Sequence, residues 1–199
     1  MKKTRKILAM VCALCLTAVL AVGGTLAYLT STTDVVENTF TVGKVTIKLD
    51  EAKVDAYGVE VKDAARVTAN EYKLIPGHNY AKDPTVHVVA GSEECYLFVK
   101  VVDGLEKAEA DTTIADQMAA KGWTAVADVA NVFVYNDTVN ALEATEDIDV
   151  VVFEEFTLKN DVDVTAYENA EITITAYAVQ ADGFDEYTAK QIWDAAKFA

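Results

Sequence analysis

Cys95-Tyr96-Leu97-Phe98-Val99-Lys100-Val101-Val102 is the most apolar stretch beyond the N-terminus. Both of its alternating faces are largely hydrophobic, as in a strand with packed layers on either side. Asp103-Gly104 ends it, and Gly91-Ser92 turns the chain before it. Upstream, Asp83-Pro84 opens a strand that places Val86, Val88 and Ala90 on one face. Tyr72 to Ile75 reads as a short strand closed by the Pro76-Gly77 turn. Downstream, Trp123–Val126 and Val132–Tyr135 read as strands, with a turn at Asn136-Asp137. Ile148 to Leu158 reads as one strand with Ile148, Val150, Val152, Phe156 and Leu158 on one face and Glu154 as the exception. Glu171 to Gln180, rich in Ile, Thr and Tyr, is the last strand.

Helical spacing occurs twice. Thr112 to Lys121 puts Ile114, Met118 and Ala119 on one face, with Gly122 beyond as the terminating residue. Asp185 to Phe198 is amphipathic, with Tyr187, Ile192, Trp193 and Ala196 as packing residues. Many strands, short connections and two short helices predict an all-β sandwich. The pattern does not separate a jelly roll from an immunoglobulin-like path. Residues 50–70 carry many charges and alternate weakly, so edge strands and a surface loop both fit.

The first strand has an irregularity. Phe40 and Val42 alternate on even positions, whereas Val45, Ile47 and Leu49 alternate on odd ones. A bulge at Gly43-Lys44 keeps all five on one face. Two short strands with a turn at Gly43 are the alternative.

The 199 residues carry 17 bases, 32 acids and a net charge of −15. Four of the bases lie in the first 27 residues, which hold no acid, so the remaining 13 bases face all 32 acids. Such a surface repels phosphate backbones and excludes nucleic acid as a partner. Cys12 and Cys15 lie in the apolar N-terminal run, leaving Cys95 without an internal partner. A buried thiol is the simpler reading of Cys95, and an intermolecular bridge is the alternative.

Lys2-Lys3-Thr4-Arg5-Lys6 followed by the apolar run Ile7–Val22 has the form of a secretory signal helix. Gly23-Gly24 breaks the helix, and Thr25 and Ala27 are small residues suited to a cut between Ala27 and Tyr28. Residues 1–27 are therefore expected to be a signal peptide, 28–38 a flexible leader and 39–199 the sandwich domain. An uncleaved membrane anchor is the competing reading, and the membrane is expected as a partner only through that uncleaved segment. A lipoprotein is disfavoured because neither Cys12 nor Cys15 follows a small-residue box.

Gly23-Gly24-Thr25-Leu26-Ala27-Tyr28-Leu29-Thr30, followed by Asn38-Thr39-Phe40-Thr41-Val42-Gly43, resembles the signal and first strand of the TasA/camelysin family. Leu74-Ile75-Pro76-Gly77 through Lys82-Asp83-Pro84-Thr85-Val86 and Ala176-Tyr177-Ala178-Val179-Gln180-Ala181 are similar at further points. The resemblance implies a jelly-roll sandwich, export and processing by a signal peptidase of the SipW type. It also implies self-association into biofilm-matrix fibres, in which the N-terminal strand of one subunit completes the sheet of the next. The corresponding segment here is Thr39 to Leu49, with Phe40, Val42, Gly43, Val45, Ile47 and Leu49 as the strand-exchange residues. Pairing of that strand within its own domain is the alternative, and the two are compatible if the strand exchanges.

The same family includes camelysin, described as a metallopeptidase. The chain has two histidines, His78 and His87, with no H-E-x-x-H and no neighbouring Glu. A zinc site requires the fold to bring both together with a carboxylate. His78 lies in the Pro-Gly turn, and His87 should point away from Val86 and Val88. Ser31 and Ser92 are the only serines and neither sits in G-x-S-x-G. Cys95 and His87 are a weak nucleophile pair, since Cys95 abuts an apolar strand. Asp147, Asp149, Glu154 and Glu155 read as a solvated face, with calcium as the alternative. The sequence therefore predicts a non-enzymatic exported structural protein without a cofactor or metal. A secreted metallopeptidase and a monomeric adhesin or ligand-binding sandwich are the rivals.

Overall fold

The structure is a computed structural model and describes residues 44–198. The signal segment, the cleavage position Ala27–Tyr28, the leader, and Phe40, Val42 and Gly43 with their bulge lie outside the described residues. The described chain is built from antiparallel sheets and two short α-helices, as the strand pattern requires. The strands are β1 (Ile47–Asp50), β2 (Asn79–Ala81), β3 (Thr85–Val88), β4 (Cys95–Asp103), β5 (Trp123–Ala125), β6 (Val132–Tyr135), β7 (Ile148–Val151), β8 (Glu155–Thr157) and β9 (Ile172–Gln180). The helices are α1 (Ile114–Ala120) and α2 (Ala189–Ala196).

β4 explains why the apolar stretch at 95–102 is hydrophobic on both faces. It lies inside the sheet β5-β6-β4-β9 and pairs with β9 over its whole length, from Cys95↔Gln180 to Asp103↔Ile172. Its odd residues Cys95, Leu97, Val99 and Val101 enter the main core, where Val86, Val88 and Val150 of the sheet β1-β3-β7 meet them. On the other face, Tyr96 and Phe98 join a second cluster with Val132, Ile192 and Trp193. The two faces thus pack against different layers, a sheet on one side and α2 on the other. Fully burying each such side chain contributes about 1.5–3 kcal/mol.

The stretch 148–158 departs from expectation. It is two strands, with Val152 and Phe153 both fully buried between them and Glu154 turned out. β7 pairs with β3, and β8 pairs with β2. The register is nevertheless continuous: counting on from Ala81↔Glu155 reaches Thr85↔Val151 with no residue gained or lost. Two backbone bonds cross the gap, Lys82 N–H to Glu154 O at 2.9 Å and Val152 N–H to Pro84 O at 2.8 Å. Their reciprocals are missing for a physical reason. Pro84 has no N–H, and the Glu154 N–H is taken by Gln117 Oε1 at 3.2 Å. The ladder loses two rungs there and Phe153 turns inward.

Tyr72–Ile75 is also not a strand. Its hydrogen bonds come from elsewhere: Lys73 N–H donates to Ala56 O, Ile75 N–H to the Tyr80 hydroxyl at 2.7 Å, and that hydroxyl to Lys73 O at 2.8 Å. The Pro76-Gly77 turn forms, with Gly77 at φ +71° and His78 N–H donating to Ile75 O. Residues 51–70 are an irregular excursion carrying two isolated bridges, Glu51↔Val67 and Val54↔Glu60. α1 starts on a Thr113–Asp116 capping box and buries Ile114 and Met118, whereas Ala119 is exposed. α2 starts later than its pattern suggests, on a Thr188–Gln191 capping box. Tyr187 therefore lies outside the helix, half exposed against Phe184, while Ile192 is buried and Trp193 and Ala196 are half-buried.

Candidate functional site

β1 occupies the edge of the β1-β3-β7 sheet, paired on one side to β3 in the register Ile47↔Val88, Lys48↔His87, Leu49↔Val86 and Asp50↔Thr85. Hydrogen bonding continues back along the chain. Val89 N–H donates to Thr46 O at 2.9 Å, Glu93 N–H to Lys44 O at 3.1 Å, and Thr46 N–H to Ser92 Oγ at 3.2 Å. Val45, Ile47 and Leu49 share the inward face as their odd spacing predicts, yet they are only half-buried. Val86 and Val88 opposite them are fully buried. The described part of the strand-exchange segment thus pairs within its own sheet, at a margin.

Alternation sends the other residues of β1 and β3 outward, where they build a polar face. His87 points away from Val86 and Val88 as expected. Its Nδ1 lies 2.6 Å from Asp149 Oδ1 on β7, and its Nε2 lies 2.8 Å from Asp50 Oδ1 on β1. Arg66, from the excursion after β1, bonds Asp50 through Nε and reaches Asp83 Oδ2 at 2.8 Å through Nη1. Its Nη2 donates to Asp83 O and Thr85 Oγ1, each at 3.0 Å. Lys48 pairs with Asp147 at 3.1 Å, and Asp147 also accepts the Ala90 N–H. Burial pushes the Asp50 carboxyl up, but the hydrogen bonds and charges of Arg66 and His87 outweigh it and hold Asp50 below its ordinary value. For His87, burial pulls the imidazole down, and the bonds and charges of Asp50 and Asp149 more than reverse this, so its pKa stands above the ordinary 6.5.

A groove of about 1120 Å³ opens beside β1, between residues 68–74 and 164–174. Leu49, Leu105, Phe156 and Ile174 line it. Near it Lys82 and Glu51, 8% and 4% exposed, form a buried ion pair. Asn70 Nδ2 donates to the other Glu51 oxygen at 2.9 Å, so that carboxylate is fully engaged. β9 borders the same groove as the edge strand of its own sheet. Among the described residues no strand pairs with its outer side, and Ile172 and Ile174 remain half-buried.

The other sequence candidates do not converge. His78 Nε2 lies 2.8 Å from Tyr57 O, and its ring stands edge-on to Tyr80. Cys95 is sealed in the core, its thiol pushed up to about 11 by burial and then by Glu94. His87 lies on the outer face of a different sheet. Asp147 and Asp149 serve Lys48 and His87, Glu154 pairs with Lys121, and Glu155 accepts from Asn79. Among the described residues there is no group of three His, Cys, Asp or Glu side chains placed to hold a metal ion. No described helix is long and apolar enough to cross a membrane.

Sequence reading missed Asp50, Arg66 and the Lys82–Glu51 pair. Asp50 had a usable signal, since it follows Lys48 on the outward parity of β1. Arg66 had none, because it reaches the sheet from a stretch without periodicity. Compared with known proteins, the chain matches no family model, no curated protein and no solved structure.

Proposed function

We propose that the chain is an exported structural protein of the cell surface or biofilm matrix, resembling the TasA/camelysin family. In this reading a SipW-type peptidase cuts between Ala27 and Tyr28, and the segment Phe40–Leu49 then exchanges between subunits. The jelly-roll path and the signal helix belong to the same reading. The observation that supports it is the position of β1. It is the first described strand, it stands at a sheet edge, and it leaves Val45, Ile47 and Leu49 half-buried against a fully buried neighbour.

The physics of exchange follows from that position. A strand with one ladder neighbour has one row of backbone bonds to break before it leaves. The vacated edge of β3 then presents unpaired N–H and C=O groups above the apolar side chains of the core. An identical strand from another copy restores both the ladder and the apolar contacts. The cost of opening is returned on closure, so the exchange is driven by the release of constraint at the N-terminus and by protein concentration.

Electron microscopy and sedimentation of the protein cut after Ala27 test the reading. Fibres are expected from this form, and Ile47→Asp, which puts a charge on the inward face of the exchanged strand, should abolish them. Persistent monomers of the cut protein at high concentration, across pH and salt, would remove the proposal.

A further inference from the structure

The hydrogen-bond chain across the outer face of the β1-β3-β7 sheet has a proton requirement built into its geometry. Asp149 Oδ1 faces one ring nitrogen of His87 and Asp50 Oδ1 faces the other, at 2.6 and 2.8 Å. A neutral imidazole offers one N–H and one lone pair, so it satisfies one carboxylate and repels the other. The imidazolium donates to both. His87 stands on the central strand of the three, so its two bonds tie the edge strand on one side and β7 on the other.

We propose that Asp50–His87–Asp149 is a proton-operated latch on β1, closed while His87 carries both protons and loosened when it loses one, opening the edge of β3 to the strand of a second copy. The part played by the second copy rests on the assembly reading above, whereas the latch is a property of the single chain.

The groups around the ring set the consequence of losing that proton. β1 contributes Asp50 and, directly opposite His87, Lys48. The excursion after β1 contributes Arg66, which also holds Asp83 before β3. β7 contributes Asp149, and the turn before it Asp147, paired to Lys48. With His87 charged, three cations face the four carboxylates Asp50, Asp83, Asp147 and Asp149. With it neutral, two cations face the same four. If the proton leaves Nε2, the bond to Asp50 is lost. If it leaves Nδ1, that bond keeps its ionised acceptor but loses the positive charge of its donor, and weakens. The link to β1 is reduced in both cases.

β1 is the neighbour that yields. β7 runs on into Val152 and Phe153, both fully buried and apolar, whereas the apolar side chains of β1 are half-buried and the buried residue that follows it, Glu51, is held by an ion pair with Lys82. Arg66 keeps its bonds at every accessible pH, so the latch loosens β1 by several-fold and does not release it outright. The sign is fixed by the direction of the His87 shift. A group whose folded pKa lies above its unfolded value contributes stability that is complete below the unfolded value, here 6.5, and is lost as pH rises through the folded value.

Amide hydrogen exchange of the full chain, corrected for intrinsic rates and stepped from about pH 6 to about pH 9, reads the latch directly. Protection of residues 47–50 is expected to fall several-fold relative to residues 95–103. His87→Gln, which donates an N–H to only one carboxylate, should give low protection of β1 at every pH. Asp149→Asn keeps the Asp50 contact and should move the His87 titration, followed by its ring proton resonance, to lower pH. A wild-type profile in which β1 tracks β4 throughout, or one that His87→Gln reproduces, overturns the latch. Sedimentation of the protein cut after Ala27, at the same pH values, separates the two proposals. Polymer that forms to the same extent at about pH 6 and about pH 9, and equally in His87→Gln, overturns the latch and leaves the assembly reading standing. Loosening of β1 with monomers at every pH upholds the latch and overturns the assembly reading.

Discussion

β1 and β4 send aliphatic side chains into the same core, yet different forces hold them. β4 has ladder neighbours on both sides, β6 and β9, and its inward residues Cys95, Leu97 and Val99 are fully buried. Among the described residues β1 has one ladder neighbour; its inward residues are half-buried, and its outer face carries ion pairs to Arg66, His87 and Asp147. Apolar burial is insensitive to salt and nearly so to pH, while ion pairs depend on both. The centre of the molecule is therefore fixed under all ordinary conditions, and its edge is conditional on the solvent.

The most forceful way to break this contrast is to delete the same side chain in both strands. Leu97→Ala should destabilise the protein by about 3–5 kcal/mol, because it removes transfer free energy and leaves a cavity in a core that cannot collapse around it. Leu49→Ala, at a half-buried edge position, should cost about 1–1.5 kcal/mol, since its surroundings relax and water fills the gap. Urea denaturation of the two variants measures both. Equal losses would mean that β1 is as firmly built in as β4, and the argument for exchange would lose its basis.

A smaller effect separates paired from unpaired buried charge. Glu51 is buried at the edge region with Lys82 as its cation. Glu109, 3% exposed, pairs with no cation among the described residues; it accepts the Ile114 N–H at 3.0 Å at the start of α1. Burial, followed by the charge of Asp103, lifts its carboxyl to about 7 from the ordinary 4.5. A raised carboxyl is stabilising in its protonated form. The contribution is complete below pH 4.5 and is lost as pH rises through about 7, a change on the order of 2–3 kcal/mol. Glu109→Gln keeps an oxygen for the Ile114 N–H and carries no charge. It should be more stable than the parent above pH 7 and indistinguishable from it near pH 4.5. Parallel stability profiles for the two proteins between these limits would show that the carboxyl is solvated and ionised throughout.

These contrasts mark where the sequence was informative. Periodicity located β4, β6, β9 and both helices because burial on a defined face imposes a repeat on the residue types. The inward parity of Val45, Ile47 and Leu49 and the outward turn of His87 followed from the same rule. Periodicity failed where a single group broke the backbone rule. Pro84 and the Gln117 side chain removed two rungs and split 148–158, and the Tyr80 hydroxyl took the bonds that a strand at 72–75 needed. Pro84 and Gln117 act on partners brought near only by the fold, and the Tyr80 hydroxyl, though close in sequence to Ile75 and Lys73, reaches back across the Pro76-Gly77 turn, which alternation does not register. The polar face was half legible for the same reason: alternation supplied His87, but nothing local tied Arg66 to it.

The finest test of the contrast uses salt alone. Lys48 and Asp147 form an exposed pair across the edge of the sheet, and Arg66 with Asp50 and Asp83 is only partly covered. Raising ionic strength from about 0.05 M to about 1 M shortens the screening length from over 10 Å to about 3 Å and weakens such pairs without touching apolar packing. At a pH where His87 is charged, protection of the β1 amides should fall modestly with salt, by a factor of a few, while the β4 amides stay level or gain. Lys48→Met removes the outermost pair and should reduce the salt response of β1 without changing that of β4. If β1 and β4 respond alike, the charges on the outer face are ornamental to β1, and its looseness has to be sought in the half-buried apolar side. A response confined to β1 means that electrostatics governs the strand at the edge, and the solvent then sets how readily it leaves.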